Sequence, residues 1–345
     1  MTERSETRSR FPGAVILVLV TLAVWQTPVL AEAATLTVKQ RINFDGPGRW
    51  DYIVPDSASD RLYIARTDRF MVLHPNSGKL IGEIPSAPNA HGVALVKELG
   101  MAFTTDGGSN TSTVFDLNTL KVITKINVGK NPDSIVYDGP TKRVFVFNGD
   151  SNDVSVIDAT KRAVIATIVA PGKPEFSVAD DKGNVYFNVE DKNAIARIDV
   201  AALKVKDIWT IAPCEEPAGL AIDTKKRVLF SGCSNKLLAV INADTGKVLG
   251  TVPIGEDNDG VFFDAAADRV YAATGDGHLY VISSNANRTY HVVQDIPTAE
   301  GSKTMGLDPK TGRIYVPTAE FGPKPPGAKR PPVVPGTFSV WVIGQ

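Results

Sequence analysis

Titratable side chains recur along this 345-residue chain at intervals of 40 to 44 residues. The equivalent positions are Asp51, His91, Asp133, Glu175, Ala218, Asp259 and Lys303. Each except His91 is followed five positions later by an aspartate, and at that place the second repeat has Val96. If the fold brings these positions to a common centre, crowded like charges raise one another's pKa or attract a cation. The set, with the adjacent Trp50, is therefore a candidate ligand-binding site.

Three kinds of chemistry are open to these residues. The charges can line a hydrated funnel and bind a ligand or partner. Asp51, Asp133, Glu175 and Asp259 can hold Ca²⁺ or another divalent cation, because Ca²⁺ accepts six to eight oxygens in loose geometry. His91, Asp133, Glu175 and Asp259 are also candidates for acid or base catalysis.

The rest of the chain adds no recognisable catalytic motif. It has no CxxCH haem motif, GxSxG elbow, HExxH, P-loop or EF-hand sequence. Of the other histidines, His278 is expected on the same face but further out, His74 on the opposite face and His291 in an outer strand. A centre of three histidines is therefore not expected, and nothing here decides that the protein is an enzyme.

A second periodicity shows which elements must position the charged residues. A short apolar run ending at positions 74, 116, 158, 199, 242, 283 and 342 gives steps of 42, 42, 41, 43, 41 and 59. In the third repeat the strands are predicted at 133–138, 143–148, 154–158 and 163–169, separated by turn residues. Four short strands in about 42 residues is the size of one propeller blade.

The ends of the chain predict how the ring closes. The last repeat ends after its third strand, residues 338–343, and the segment 36–43 is a surplus strand that resembles the outer strands. Their pairing would hide two sheet edges. We therefore predict an all-β fold, a seven-bladed β-propeller of four-stranded antiparallel blades closed by the N-terminal strand.

The third repeat also resembles a known family. It has Val146-Phe147-Asn148-Gly149, then Val154-Ser155-Val156-Ile157-Asp158, after a loop NVGKNPD at 127–133. These sequences resemble the YVTN-repeat, YncE-like exported propellers. The resemblance covers nearly the whole chain after the first 33 residues. Arg197 and the segment Gly255-Glu256-Asp257-Asn258 depart from the pattern. The resemblance implies a seven-bladed periplasmic binding scaffold.

The first 33 residues are predicted to be a cleaved secretory signal peptide. Arg4, Arg8 and Arg10 precede the apolar run 14–25, and an A-x-A site follows at 31–33. Residues 34–345 would then form a single propeller domain that is periplasmic or secreted, with no membrane span after cleavage. Since the compartment is oxidising, Cys214 and Cys233 are expected to form a disulfide.

The 59-residue step contains a proline-rich insertion at 320–336. Six prolines predict an extended, polyproline-like loop on the face of the charged positions. Lys324, Lys329 and Arg330 outnumber Glu320, so its charge is opposite to that of the carboxylates. The insertion is either a lid over the charged positions, an arm that docks a partner, or a surface loop without a function.

These observations favour a monomeric, non-catalytic exported propeller that binds a small molecule or protein at its charged axial mouth. No cofactor is implied, except that a divalent cation fits the carboxylates. The formal net charge of −1 and the acidic mouth disfavour nucleic acid, although YncE-like proteins have been linked to single-stranded DNA. The alternatives are a divalent-metal-assisted, lactonase-like hydrolase and a propeller subunit of a periplasmic redox system.

Overall fold

The structure is a computed structural model that describes residues 1–4, 6, 35–44, 48–85, 88–328 and 330–345. Contacts divide the chain into two units, Met1–Ala34 and Thr35–Gln345. Only residues 1–4 and 6 of the first unit are described, so the predicted signal peptide lies largely outside the described residues. Among the described residues, none belongs to a helix with the length and apolar character needed to cross a membrane.

The second unit consists of seven four-stranded antiparallel sheets. The strands of the first half are, in chain order, β1 (Thr37–Asn43), β2 (Trp50–Asp56), β3 (Arg61–Arg66), β4 (Arg69–Leu73), β5 (Leu80–Pro85), β6 (Ala90–Val96), β7 (Met101–Asp106), β8 (Thr111–Asp116), β9 (Val122–Asn127), β10 (Pro132–Asp138), β11 (Arg143–Asn148), β12 (Asp153–Asp158), β13 (Ala163–Val169) and β14 (Pro174–Ala179). Starting from β2, the strands form blades 1 to 6 in sets of four. The first strand of each blade lies next to the axis.

The second half continues the same order. Its strands are β15 (Asn184–Val189), β16 (Ala194–Asp199), β17 (Lys204–Thr210), β18 (Pro217–Asp223), β19 (Val228–Cys233), β20 (Leu237–Asn242), β21 (Val248–Pro253), β22 (Asn258–Asp264), β23 (Arg269–Thr274), β24 (His278–Ser284), β25 (Tyr290–Pro297), β26 (Gly306–Asp308), β27 (Arg313–Thr318) and β28 (Ser339–Gly344). Strands β26, β27 and β28 form blade 7 together with β1. Two 3₁₀ turns, Lys97–Leu99 and Glu190–Lys192, are the helical segments of the described chain.

Blade 7 confirms the predicted closure. Its sheet has the order β1-β28-β27-β26, and β1 pairs antiparallel with β28 from Thr37 opposite Gly344 to Asn43 opposite Ser339. The N-terminal strand therefore supplies the fourth strand that the last repeat lacks. The sheet hides the outer edge of β28, which would otherwise be open to another chain.

Apolar side chains between neighbouring sheets form the core. Between blades 3 and 4, for example, the rings of Phe147 and Phe187 lie 5.1 Å apart, and both residues are fully buried. Such contacts repeat around the ring because alternate residues of each strand face the next sheet. The inner strands are therefore held in a closed circle.

An aspartate lies five positions after six of the seven aligned residues, and it has a structural role. Asp223, at the end of β18, accepts hydrogen bonds from the backbone N–H groups of Lys225 and Lys226, both at 2.8 or 2.9 Å. Asp264 does the same for Ala266 and Ala267. These buried side chains close the turn after the inner strand, far from the charged end.

The disulfide is present in blade 5. Cys214 and Cys233 are joined, with their Cα atoms 5.4 Å apart, and both are buried. The bond ties the loop before β18 to the end of β19. This confirms the pairing predicted from the sequence.

Candidate functional site: a charged axial mouth

The seven positions Asp51, His91, Asp133, Glu175, Ala218, Asp259 and Lys303, which we call the charged ring, surround one end of the channel. All seven line a single cavity of about 510 Å³, and so does Trp50. We call this cavity the axial mouth. The structure therefore brings together every residue that the sequence analysis assigned to the site.

A β-bulge points the ring residues into the mouth. In β2, Trp50 pairs with Arg66 and Ile53 with Ile64, so Asp51 and Tyr52 face one residue of β3. The same irregularity occurs at the start of five other inner strands, β6, β10, β14, β18 and β22. Bulges re-aim side chains at strand ends, and both Asp51 and Tyr52 line the mouth.

The residues two positions before the ring form a second layer. They are Arg49, Asn89, Asn131, Lys173, Glu216, Asp257 and Gly301. Five of them, Asn89, Asn131, Glu216, Asp257 and Gly301, have a positive φ between 44° and 82°. This left-handed conformation turns the chain into the inner strand. All members of the second layer except Asn89 and Asn131 line the mouth.

His91 is the centre of a carboxylate cluster. Its Nδ1 donates a hydrogen bond to Asp51 Oδ2 at 2.5 Å and lies 3.5 Å from Asp133 Oδ1. Its Nε2 lies 2.7 Å from the side-chain amide of Asn89, whose oxygen must face the ring when both ring nitrogens are protonated. Burial lowers the pKa of His91, but Asp133 and Asp51 outweigh burial and raise the pKa to about 9. At neutral pH the imidazole is therefore a cation.

The carboxyl groups of the ring hold protons more tightly than usual. Burial raises the pKa of Asp133 to about 6, despite the opposing charge of His91. Burial and then Asp133 raise the pKa of Glu175 to about 8, with Lys173 opposing them. The pKa of Asp259 is raised by burial, which outweighs Lys303. Burial is therefore the main reason why these carboxyl groups ionise less readily than exposed ones.

Two lysines partly compensate the ring. Lys173 Nζ lies 2.8 Å from Glu175 and also forms an ion pair with Glu190. Lys303 Nζ lies 3.0 Å from Asp257 and 3.3 Å from Asp259. Eight carboxylates nevertheless line the mouth with only four basic side chains besides His91. The acids are Asp51, Asp133, Glu175, Glu190, Glu216, Asp257, Asp259 and Glu300, and the bases are Arg49, Lys173, Lys303 and Arg330.

Three aromatic rings close the channel below the charged ring. The rings of Tyr52 and Phe176 pack edge to face at 5.1 Å, and those of Phe176 and Phe262 at 6.1 Å. Tyr52 lines the mouth, whereas Phe176 and Phe262 line a separate apolar cavity of about 280 Å³. The axial mouth is therefore a blind pocket with an aromatic floor.

The insertion at 320–336 forms a wall of the mouth. Phe321 and Val333 form an antiparallel bridge, and the N–H of Gly322 donates to Pro332 O at 2.9 Å. The two ends of the insertion are thus joined at its base. Phe321 packs 5.9 Å from Trp50, and Phe321 and Arg330 line the mouth. The side chains of Phe321 and Arg330 face the mouth because the insertion starts directly at the rim of the mouth.

The remaining histidines stay outside the mouth, as expected. His278 pairs with Asp295 at 2.8 Å, and the Nδ1 atom of His74 accepts hydrogen bonds from the backbone of a turn. Within the described residues, the one group whose donor atoms all lie within 4.8 Å of one another, close enough for a metal, is Asp51, His91 and Asp133. Glu175 and Asp259, the other two predicted metal ligands, line the mouth outside that group.

Sequence reasoning missed several residues that line the mouth. Tyr52, Lys173, Glu190, Glu216, Asp257 and Glu300 were not among the predicted site residues. Extending the repeat alignment two positions upstream would have found Lys173, Glu216 and Asp257. Tyr52 could not have been found this way, because in a regular strand it would point away from Asp51.

Comparisons with known proteins identify the fold. No family model matches the chain, and no curated protein matches its sequence. The structure is similar to hydrazine synthase of Kuenenia stuttgartiensis, with a TM-score of 0.67 and 16% identity over 80% of this chain and 94% of that chain. It is similar to U3-55K, with a TM-score of 0.72 and 11% identity over 90% of this chain and 99% of that chain. At these identities the likeness shows the propeller fold alone.

Proposed function

We propose that this protein is a binding protein that holds a positively charged group in its axial mouth. The group belongs to a small molecule or to a protein partner. The observation that carries the proposal is the blind 510 Å³ pocket in which eight carboxylates outnumber the basic side chains. Pockets of this size with a few convergent polar groups are typical ligand sites.

The ring carboxyls favour a cation over a neutral ligand. Burial raises the pKa of Glu175 to about 8, so at neutral pH this side chain holds a proton, whereas Asp133, with a pKa of about 6, is mostly ionised. A ligand cation can replace that proton and restore the ionised state. The aromatic ring of Tyr52 in the floor adds a face for an alkyl chain or an ammonium group.

We also propose that this protein belongs to the exported propellers of the YVTN-repeat, YncE-like type. The repeat sequences support this assignment, and the disulfide Cys214–Cys233 supports an oxidising compartment. The acidic mouth argues against nucleic acid as the ligand.

A calorimetric titration with 1,5-diaminopentane tests the proposal. We expect saturable binding that Glu175→Gln and Asp133→Asn weaken by about tenfold or more, because each removes a charge-assisted contact. Glu83→Gln is the matched control, since Glu83 is an exposed acid on outer strand β5 outside the mouth. The proposal fails if the diamine does not bind, or if all three variants behave alike.

A metal-assisted hydrolase is the second candidate, favoured by the grouping of Asp51, His91 and Asp133. One imidazole and two carboxylates suit a divalent ion such as Zn²⁺ or Mn²⁺. His91 would have to lose its proton to bind a metal. ZnCl₂, MnCl₂ and CaCl₂ form the second arm of the same titration. Binding of a metal ion that is lost in His91→Asn, together with no binding of the diamine, would favour the metal site that the hydrolase requires.

A further inference from the structure

The charges of the axial mouth are not evenly distributed. Glu175 and Glu190 belong to blade 4, on β14 and the turn after β15. Arg49 precedes β2 of blade 1, and Arg330 lies in the insertion of blade 7. In a ring of seven blades, blade 4 lies across the axis from the junction of blades 7 and 1. The arginines, on what we call the basic side, therefore lie across the axis from Glu175 and Glu190. Lys173 pairs with those two glutamates, and Asp51 and Glu300 lie on the side of the arginines.

The basic side contains two guanidinium groups without an acidic partner. Among the described residues, neither Arg49 nor Arg330 forms an ion pair, although both line a pocket with eight carboxylates. Arg49 donates to the carbonyl oxygen of Pro331 and stacks 5.7 Å over the ring of Phe321. The two arginines are close enough that Arg330 adds to the effect of burial in lowering the pKa of Arg49. An anion between them would relieve this repulsion.

Arginine is suited to this task because its planar fork bonds both oxygens of a carboxylate. Lys303 extends the basic side toward the ring, but Asp257 and Asp259 already bind it. Arg49 and Arg330 thus remain as the available cations. Trp50 and Phe321 pack together beside them and give an apolar wall for the part of a ligand between its charges.

We infer that the ligand of the axial mouth is zwitterionic, with its cation held by Glu175 and Asp133 in competition with Lys173 and His91, and its carboxylate held between Arg49 and Arg330. This inference rests on the proposed function and names the chemical class of its ligand. Amino acids with separated charges and short peptides with free ends belong to this class. A simple amine would contact the carboxylates and leave Arg49 and Arg330 without an anion.

A series of ω-amino acids measures the separation of the two sides. The probes are 4-aminobutanoate, 6-aminohexanoate and 8-aminooctanoate, compared with 1,5-diaminopentane and hexanoate by calorimetry at constant ionic strength. At least one ω-amino acid should bind about tenfold more tightly than the diamine, because it adds charge-assisted hydrogen bonds to the arginines. Hexanoate should bind more weakly than either.

Arg330→Gln is the decisive variant. Arg330 is exposed and donates no hydrogen bond within the described residues, so its replacement leaves the fold intact. We expect it to weaken the best ω-amino acid by about tenfold and to leave the diamine unchanged or slightly tighter. Lys324→Gln, in the same insertion but not lining the mouth, is the matched control and should change neither.

The outcomes separate the two proposals. If the diamine binds but no ω-amino acid binds more tightly, or if Arg330→Gln weakens both equally, the zwitterion is wrong and the cation site stands. If hexanoate binds as tightly as the ω-amino acids and the diamine does not bind, the mouth is an anion site and both proposals are wrong. If no probe binds up to millimolar concentrations, both are likewise overturned.

Discussion

His91 and Glu175 differ from ordinary side chains in the pH range over which they lose their protons. His91 holds its proton to about pH 9 because Asp133 and Asp51 outweigh its burial. Glu175, whose side chain is 12% exposed, holds its proton to about pH 8, chiefly because it is buried. Both groups bind a proton more tightly in the folded than in the unfolded chain.

This linkage gives the protein an unusual pH dependence. Since the folded state binds more protons, the free energy of unfolding should fall as pH rises from about 4.5 to 8 for Glu175 and from about 6.5 to 9 for His91. Asp133 acts in the same direction between about 3.8 and 6. We expect chemical denaturation to show a decrease of at least about 1 kcal/mol between pH 6 and 9.

Glu175→Gln provides the control for this pH dependence. A neutral amide cannot be deprotonated, so the variant should be more stable than the parent at pH 9 and should lose less stability on going from pH 6 to 9. A saturating ligand cation should also reduce the loss in the parent. A parent protein whose stability is constant or rises between pH 6 and 9 would refute the proton assignment.

The bulge in six of the seven inner strands has a counterpart in the outer strands. Each fourth strand has one extra residue opposite its neighbour, as where Val156 pairs with Ala166 and Ile157 with Val164, leaving Ile165 unpaired. Ile123 and Leu249 occupy the same place in β9 and β21. Bulges at exposed edges twist the strand and hinder pairing with other chains. β-Bulges thus shape the mouth at the inner strands and protect the outer edges of the blades.

The disulfide stabilises the rim at blade 5. It closes a loop of 19 residues between Cys214 and Cys233, both buried. Replacing both by alanine should lower the free energy of unfolding by about 3 kcal/mol, because the unfolded chain regains the entropy of the loop. Urea denaturation measures the difference, and a thiol reductant should destabilise the parent but not the variant. A loss under about 1 kcal/mol would show that rim packing alone holds this blade.

The closure of the ring depends on a contact between the two ends of the propeller. Leu36 is linked to Gln294 of blade 6 by hydrogen bonds of 3.0 and 2.7 Å, and Ile42 lies in the core with Phe338 and Val340. Without β1, the edge of β28 and this apolar surface become exposed. The closure therefore stabilises every blade, because each blade supports its neighbours only in a complete circle.

Removing β1 tests this role. A chain beginning at Phe44 should be several kcal/mol less stable than one beginning at Thr35, and it should self-associate through β28. Light scattering and thermal denaturation report the two effects. A synthetic peptide covering 35–43 should restore the monomer. If the shortened chain remains monomeric and equally stable, closure by β1 does not hold the ring together.

The sequence alone determined the repeat architecture and the members of the charged ring. The spacing of 40 to 44 residues placed Asp51, His91, Asp133, Glu175, Asp259 and Lys303 in equivalent strands, and the surplus segment 36–43 identified the closing strand. These inferences succeed because a repeat of fixed length transfers the position of one residue to all its equivalents. Cys214 and Cys233 were paired correctly for a different reason, because they are the two cysteines of a chain predicted to be exported.

Only the tertiary structure decided how these residues face one another. Contacts between different blades bring His91 next to Asp51 and Asp133, and they bring Arg330 next to Arg49. The structure also shows which acids pair with each lysine: Lys173 with Glu175, and Lys303 with Asp259. Tyr52 in particular enters the mouth through a bulge, which periodicity does not reveal. The position of Arg49 and Arg330 across the mouth from Glu175 arises from closure of the ring, because closure sets blade 4 opposite the junction of blades 7 and 1.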